Sequence, residues 1–259
     1  MRPDEPGTPL DGTATILCEG AFGTSCGKTA HGLCRYTERY RVLSVIDSRL
    51  AGRDAGEVLD GARSGIPVVG SLAEALRDGR SRPERLVVGL APDGGRLPPG
   101  ARAPVVEALR AGLHVDSGLH TFLSEDPEMR EAARPSGARI RDVRKPPPRE
   151  TLHFFTGRIE EVASVRLAVL GTDSAVGKRT TALLLRNEFR ARGKKAFLIG
   201  TGQTAWMQGM RYGIVLDSLV NDFVSGEIEH VVWRAWRSEE RRVGKECTSW
   251  CRSRWSPDH

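Results

Sequence analysis

The sequence predicts a two-domain α/β protein built on parallel sheets, and three observations carry that prediction. From 13 to 143, short β-branched or aliphatic runs alternate with helical patterns, which implies parallel strands joined by crossover helices. Pro146, Pro147 and Pro148 then interrupt the alternation; such a triplet is stiff, extended and unable to donate backbone hydrogen bonds, so it marks a boundary. Beyond it, residues 165–192 form a second strand, glycine-rich turn and helix. At 259 residues and 39% hydrophobic content, the chain is long enough for two buried cores. The expected divisions are 1–145 for the first domain, 146–164 for a linker and connecting segment, 165–236 for a partial second domain, and 237–259 for a tail of different character.

In the first domain, strands are expected over 14–18, 41–47, 66–70, 86–90, 113–116 and 138–143. Ser71 and Glu74 have capping-box spacing ahead of the apolar pair Leu72 and Leu76, and so announce a helix. The proline- and glycine-rich stretch 92–100 is a loop at the carboxyl end of a strand, the edge where ligands sit in open α/β sheets. In the second domain a strand over 165–170 leads to a helix over 178–192, closed by Gly193, which buries Ala182, Leu185 and Phe189 on one face. A strand over 195–200 follows, and amphipathic pieces around 216–224 and 226–236 complete another crossover.

Composition narrows the function classes. The formal charge of +6, from 39 basic and 33 acidic residues, is spread along the chain and makes no aromatic-studded patch, so no nucleic-acid partner is expected. No run approaches the ~20 apolar residues that cross a bilayer, and the polar start lacks a signal peptide's apolar segment; a cytoplasmic protein without a membrane partner is expected. Five cysteines, Cys18, Cys26, Cys34, Cys247 and Cys251, lack the paired short spacings of a zinc site, and neither a disulfide nor a metal site is expected among them.

The strongest motif is Gly171-Thr172-Asp173-Ser174-Ala175-Val176-Gly177-Lys178-Arg179-Thr180-Thr181, set between a strand and a helix. Its glycines let the backbone wrap phosphate oxygens with N–H groups inward, the helix N-terminus adds positive potential, and Lys178 supplies a point charge. The spacing resembles the G-T-D-x-x-V-G-K variant of the dethiobiotin synthetase group of P-loop proteins. Arg179 here follows the lysine where that group has Thr, which displaces the Mg²⁺-binding hydroxyl to Thr180 or Thr181. Gly171, Thr172, Asp173, Gly177, Lys178, Thr180 and Thr181 are therefore the leading phosphate-binding candidates, and a ligand carrying phosphate groups is the firmest expectation.

A second glycine-rich loop follows the first strand, with Gly20, Gly23 and Gly27 leading into Lys28 and Thr29. Asp47 ends the second strand twenty residues after Gly27, where a dinucleotide fold places the acid that holds a ribose hydroxyl. The glycine spacing differs from G-x-G-x-x-G, and Phe22 stands where a P-loop has its first glycine, so cofactor binding and a purely structural turn both remain open. His120, just past a strand end in Ser117-Gly118-Leu119-His120, is either a general base or a hydrogen-bonded structural residue; His114, inside a strand pattern, belongs to the core. Gln203 and Thr204 either contact a polar substrate or make an ordinary turn, and Arg144 with Lys145 either holds a carboxylate or forms a solvated pair.

Taken together, Gly27-Lys28-Thr29-Ala30, Val45-Ile46-Asp47-Ser48, Ser117-Gly118-Leu119-His120, Asp142-Val143-Arg144-Lys145-Pro146-Pro147, the lysine loop and Thr201-Gly202-Gln203-Thr204 resemble a two-domain P-loop family of formerly unknown function that includes a D-glutamate N-acetyltransferase. The resemblance runs in order from about Thr13 to Trp236. It implies an α/β fold with an N-terminal Rossmann-like parallel sheet plus a truncated C-terminal P-loop α/β domain. It also implies an acyltransferase that moves an acetyl group from acetyl-CoA to the amine of a small-molecule amino-acid substrate such as D-glutamate. The lysine loop would then anchor coenzyme A, and His120 would take the amine proton. The alternatives are an ATP-dependent ligase or kinase using ATP with Mg²⁺, or a non-catalytic nucleotide-binding module. Homo-oligomers are common among such enzymes, and no segment here marks an interface.

After Trp236 the apolar period is lost, and the stretches 237–244 and 252–257 resemble tails of cloning or sequencing-adapter origin. The expectation is a foreign tail on a truncated domain whose sheet exposes an unpaired edge.

Overall fold

The computed structural model describes residues 11–77, 81–173 and 176–252, with side chains as far as Ser238. The chain forms two units. One ends at Pro146 and also takes in Gly202–Met210; the other holds Pro147–Thr201 and resumes at Arg211.

The first unit is built from β1 (Thr13–Leu17), α1 (Lys28–Arg35), β2 (Arg41–Ile46), α2 (Ala55–Asp60), β3 (Val68–Val69), α3 (Leu72–Arg77), β4 (Arg85–Val88), α4 (Pro99–Arg110), β5 (His114–Ser117), α5 (Pro127–Ala133) and β6 (Ile140–Asp142). All six strands are parallel, in the order β3-β2-β1-β4-β5-β6, so the direction of winding reverses between β1 and β4. Right-handed crossovers put α1 and α2 on one face and α3, α4 and α5 on the other, and within each set the neighbouring helices touch. Ile16, Val45, Leu86, Val87, Val115 and Leu109 fill the core between the layers. Each expected strand is present.

Local sequence explains the helix starts. The N–H of Glu74 donates to Ser71 Oγ at 3.2 Å while Glu74 Oε2 accepts from Gly70 N at 2.8 Å, a capping box closed one residue early. Asp126 caps α5 through the N–H groups of Glu128 and Met129, with Pro127 at the first helical position, where its missing donor costs nothing. Asp54 caps α2 and also accepts from Ser64 and Gly65 backbone N–H groups at 2.8 Å each; these donors, Ser64 first, hold its pKa at about 2 against the effect of burial. His114 is half-buried rather than core, its Nδ1 accepting from Arg139 N at 3.0 Å.

The second unit contains α6 (Lys178–Ala191), β7 (Ile199–Gly200), β8 (Tyr212–Gly213) and α8 (Asn221–Arg252); α7 (Gln203–Met207) lies between β7 and β8 in the chain but packs in the first unit. There α7 and α1 close each other's ends. Gln208 Nε2 donates to the carbonyls of Gly32 (2.8 Å) and Tyr36 (3.0 Å), while Glu38 N and Thr37 Oγ1 donate to the carbonyls of Gln208 (2.9 Å) and Met207 (3.2 Å). Gly209 makes the turn at φ +87°, and a Cβ there would stand 2.8 Å from Arg39 N, so glycine is required twice over. Beside this lies a charged network. Asp116 of β5 has no exposed surface and accepts from Tyr40 Oη (2.7 Å), Arg141 Nε (2.9 Å) and Arg85 Nη1 (3.4 Å). Arg39 reaches Asp11 at 2.8 Å, donates from Nε to the Trp206 carbonyl at 2.8 Å and stacks 3.7 Å above the Trp206 ring.

The second unit departs from expectation in four places. Residues 165–170 form no strand: Val165 is 98% and Leu170 85% exposed, because the unit's ladder among the described residues, β7 with β8, pairs two residues per strand and does not reach them. The return strand expected over 195–200 shrinks to Ile199–Gly200 for the same want of neighbours. Helix α6 forms, yet it buries Leu183 and Arg186 and leaves Phe189 exposed; periodicity fixes a helix, whereas the stripe that is covered depends on what lies against it. The two amphipathic pieces after 216 are a 3₁₀ turn and the single helix α8, whose backbone continues through much of the expected tail. Residues 253–259 lie outside the described residues.

The unit's small core is Tyr212, Val231 and Ala235 with Ile199 and Ile214. Helix α8 also fastens the segment that follows the prolines. Glu229 accepts from Thr156 N (2.7 Å), Thr156 Oγ1 (2.9 Å) and Ile159 N (3.1 Å). Burial pushes its pKa up, but these donors outweigh that and hold it below the usual range. Among the described residues, no helix is long and apolar enough to cross a membrane.

Candidate functional site

The lysine loop keeps the local form that its glycines permit. Gly177 has φ +89° and precedes Lys178, the first residue of α6. Lys178 folds back so that Nζ donates to the Asp173 carbonyl, and a Cβ on Gly171 would sit 3.0 Å from both Lys178 Cδ and Val176 Cγ2. A side chain at 171 would therefore press on the lysine stem and on Val176. An ammonium at a helix N-terminus is a chemistry that fits phosphate oxygens. Gly171, Thr172, Asp173, Thr180 and Thr181 are exposed, and residues 174–175 lie outside the described residues. Arg179, half-buried, has its pKa lowered by burial.

The loop after β1 is built differently. Phe22, with no exposed surface, is held from both sides: its N–H donates to Asp47 Oδ2 (2.9 Å), and its carbonyl accepts from His31 Nε2 (2.6 Å). Burial, the largest cause, lowers the His31 pKa, against the opposing effect of this contact. The N–H groups of Ala21, Thr24, Gly27 and Lys28 donate to carbonyls of the loop itself, and Thr24 Oγ1 accepts from Cys26 N. Gly20 supplies a φ of +66°, Gly23 is exposed, and a Cβ on Gly27 would meet the Ala21 carbonyl at 2.6 Å. Asp47 is 1% exposed, its other oxygen accepting from Arg49 N, so a carboxylate expected to hold a ribose instead holds the loop. Thr29 is likewise turned inward, 3.5 Å from Thr204 Oγ1, which places both expected ligand contacts in the interior; Lys28 stays exposed. Burial pushes the Cys34 thiol up to about 12 and Cys18 higher, so neither is a thiolate at neutral pH.

A third cluster forms at the carboxyl end of β5. His120 is exposed, its N–H donates to the Gly95 carbonyl at 2.9 Å, and its ring lies so close to Gly95 that a Cβ there would overlap Cδ2. Arg144 Nε donates to the Gly118 carbonyl at 2.7 Å, and Gly118 also makes room for Gln203, whose Cγ would be 2.9 Å from a Cβ at that position. Partial burial, then the Arg144 charge, lower the His120 pKa. His120, Arg144 and Gln203 thus share one edge of the first unit. Lys145 instead pairs with Glu125 at 2.9 Å. Sequence reasoning missed His31, Gly89, Gly95 and the Arg39–Trp206 stack; a fully apolar Phe22 inside a glycine loop was the one available signal.

A six-stranded parallel sheet of this order, followed by a unit built on a lysine-bearing phosphate loop, defines a protein with a Rossmann-like domain and a P-loop domain. The chain belongs to the DUF1611 family, whose Rossmann-like domain of unknown function matches residues 48–146 and whose P-loop domain of unknown function matches 153–243. It is 34% identical over 146 residues to a D-glutamate N-acetyltransferase of Tritonibacter scottomollicae, covering 56% of this chain and 42% of that protein. It is 29% identical over 159 residues to one from a Pseudoalteromonas species, covering 61% and 46%. The crystal structure of a DUF1611 family protein from Anabaena variabilis matches with a TM-score of 0.76 at 34% identity, over 86% of this chain and 63% of that one. The chain spans less than half the length of the two curated relatives in these matches.

Proposed function

We propose that this chain is part of an N-acetyltransferase that moves an acetyl group from acetyl-CoA to the amine of a D-amino acid such as D-glutamate. The shared name of the two curated relatives carries this reading. Acetyl-CoA, when bound, supplies the activated acyl carbon; the amine forms the C–N bond, the C–S bond breaks, and the proton from nitrogen is taken up by a base. Lys178 and the backbone of 171–177 would hold the coenzyme's phosphates. His120, its pKa lowered, is the group assigned to the amine proton, and Gln203 and Arg144 on the same edge are assigned to the acceptor's polar groups.

The test is thiol release from acetyl-CoA with D-glutamate or L-glutamate present, with the acetylated product identified by mass. Amine-dependent release that falls in Lys178→Ala and His120→Gln supports the proposal; the absence of amine-dependent release defeats it. The ATP-dependent ligase or kinase reading draws on the loop's G-T-D-x-x-V-G-K spacing. It is weakened by Arg179, which stands where a Mg²⁺-binding hydroxyl is needed, and Mg²⁺-dependent ATP turnover would favour it.

A further inference from the structure

A dinucleotide bound to a sheet of this order needs three things at the end of β1: loop N–H groups turned toward the pyrophosphate, an open crevice between the ends of β1 and β4, and a free carboxylate at the end of β2. Here each is already engaged. The N–H groups of Ala21, Thr24, Gly27 and Lys28 donate to the loop's own carbonyls, that of Cys26 to Thr24 Oγ1 and that of Phe22 to Asp47, so a phosphate taking the Phe22 N–H would have to displace the Asp47 carboxylate. The crevice is sewn shut by two backbone bonds, Ala30 N to the Gly89 carbonyl (3.0 Å) and Ala91 N to the Cys26 carbonyl (2.7 Å). A Cβ on Gly89 would lie 2.8 Å from the Ala30 Cβ, so α1 and the end of β4 abut directly. Asp47 spends both oxygens on backbone N–H groups.

We infer that the Rossmann-like unit takes no dinucleotide at its switch point, and that the phosphates of this protein's ligand, a coenzyme or nucleotide with a pyrophosphate or longer chain, are held by the second unit's loop at Lys178 alone. Asp47 and His31 are then positioning residues, locking the first loop from opposite sides. The inference rests on the phosphate-ligand part of the reading above and is independent of acetyl transfer.

The experiment uses the whole chain and three probes: NADH followed by fluorescence, and tripolyphosphate and coenzyme A followed by calorimetry. Each is titrated into the parent, Lys28→Ala and Lys178→Ala, with circular dichroism confirming that each variant is folded. Lys178→Arg serves as a second probe of the same site, because a retained cation should keep part of the affinity. The expected result is no saturable NADH binding, with tripolyphosphate and coenzyme A bound roughly tenfold or more weakly by Lys178→Ala and within about twofold of the parent by Lys28→Ala. Saturable NADH binding, a tenfold loss in Lys28→Ala, unchanged affinity in Lys178→Ala, or no binding of either phosphate probe to the parent would each overturn the inference. If the expected binding pattern appears but acetyl-CoA is never consumed, the acetyl-transfer reading fails and this assignment stands.

Discussion

Replacing Asp116 tests whether the charged network under α7 is as consequential as its geometry implies. The carboxylate has no exposed surface and three partners, Tyr40, Arg141 and Arg85. Asp116→Ala leaves the buried Tyr40 phenol without its acceptor and takes one carboxylate from Arg85 and Arg141, which keep Asp11 at 3.9 and 3.2 Å; breaking a buried pair from one side costs about 3–5 kcal/mol. The side chains of Arg85 and Arg141 keep 16% and 32% of their exposure, so water can recover part of the loss. The lower end, about 3 kcal/mol, is therefore expected, or a fall of about 6–12 °C in Tm for a unit of this size. Tyr40→Phe removes one hydrogen bond to a charged acceptor and should cost about 1.5 kcal/mol. Urea unfolding followed by circular dichroism measures both, and the Tyr40→Phe/Asp116→Asn double mutant should show coupling of about 1 kcal/mol. An Asp116→Ala variant within about 0.5 kcal/mol of the parent would refute the argument, since that is the range of a surface substitution.

Glu229→Gln should lower the urea midpoint at pH 7. Because the folded pKa of Glu229 is depressed, its contribution is fully present above the unfolded value and disappears as pH falls through the folded one, so parent and variant should converge in acid. Asp54→Asn should behave in the same way, with the parent's advantage at neutral pH lost between the unfolded pKa and about 2. Gly209→Ala forces a side chain into the left-handed region against Arg39 N and should cost about 1–3 kcal/mol in thermal unfolding. If His120 is the base, kcat/KM should fall only below the ordinary imidazole range, and Arg144→Gln should move that fall to higher pH; an unmoved profile would remove His120 from the role.

The sheet of the first unit was legible because its strands alternate with helices in an unbroken series, and each strand finds its neighbours within the same segment. The lysine loop was legible because Gly171, Gly177 and Lys178 act locally. What escaped depends on contacts distant in sequence. Asp47 sits at the position of a ribose-binding acid, and only the fold shows that Phe22 has claimed it. The segment around Gln203 is too short for a period to declare it a helix, and its partner Thr37 lies 170 residues from Met207. Residues 165–170 carry a strand pattern, but a pattern states what a segment does when paired, and no described ladder reaches it.

The interlocked ends of α1 and α7 also order events during synthesis. The first unit's sheet is encoded by Pro146, yet Gln208, which closes α1, leaves the ribosome about sixty residues later, a delay of about 3–12 s at ordinary elongation rates. Through that interval the last carbonyls of α1 and the Arg39–Arg141 face stand exposed to water or to a chaperone. A chain cut at the proline boundary would remain in that unfinished state permanently.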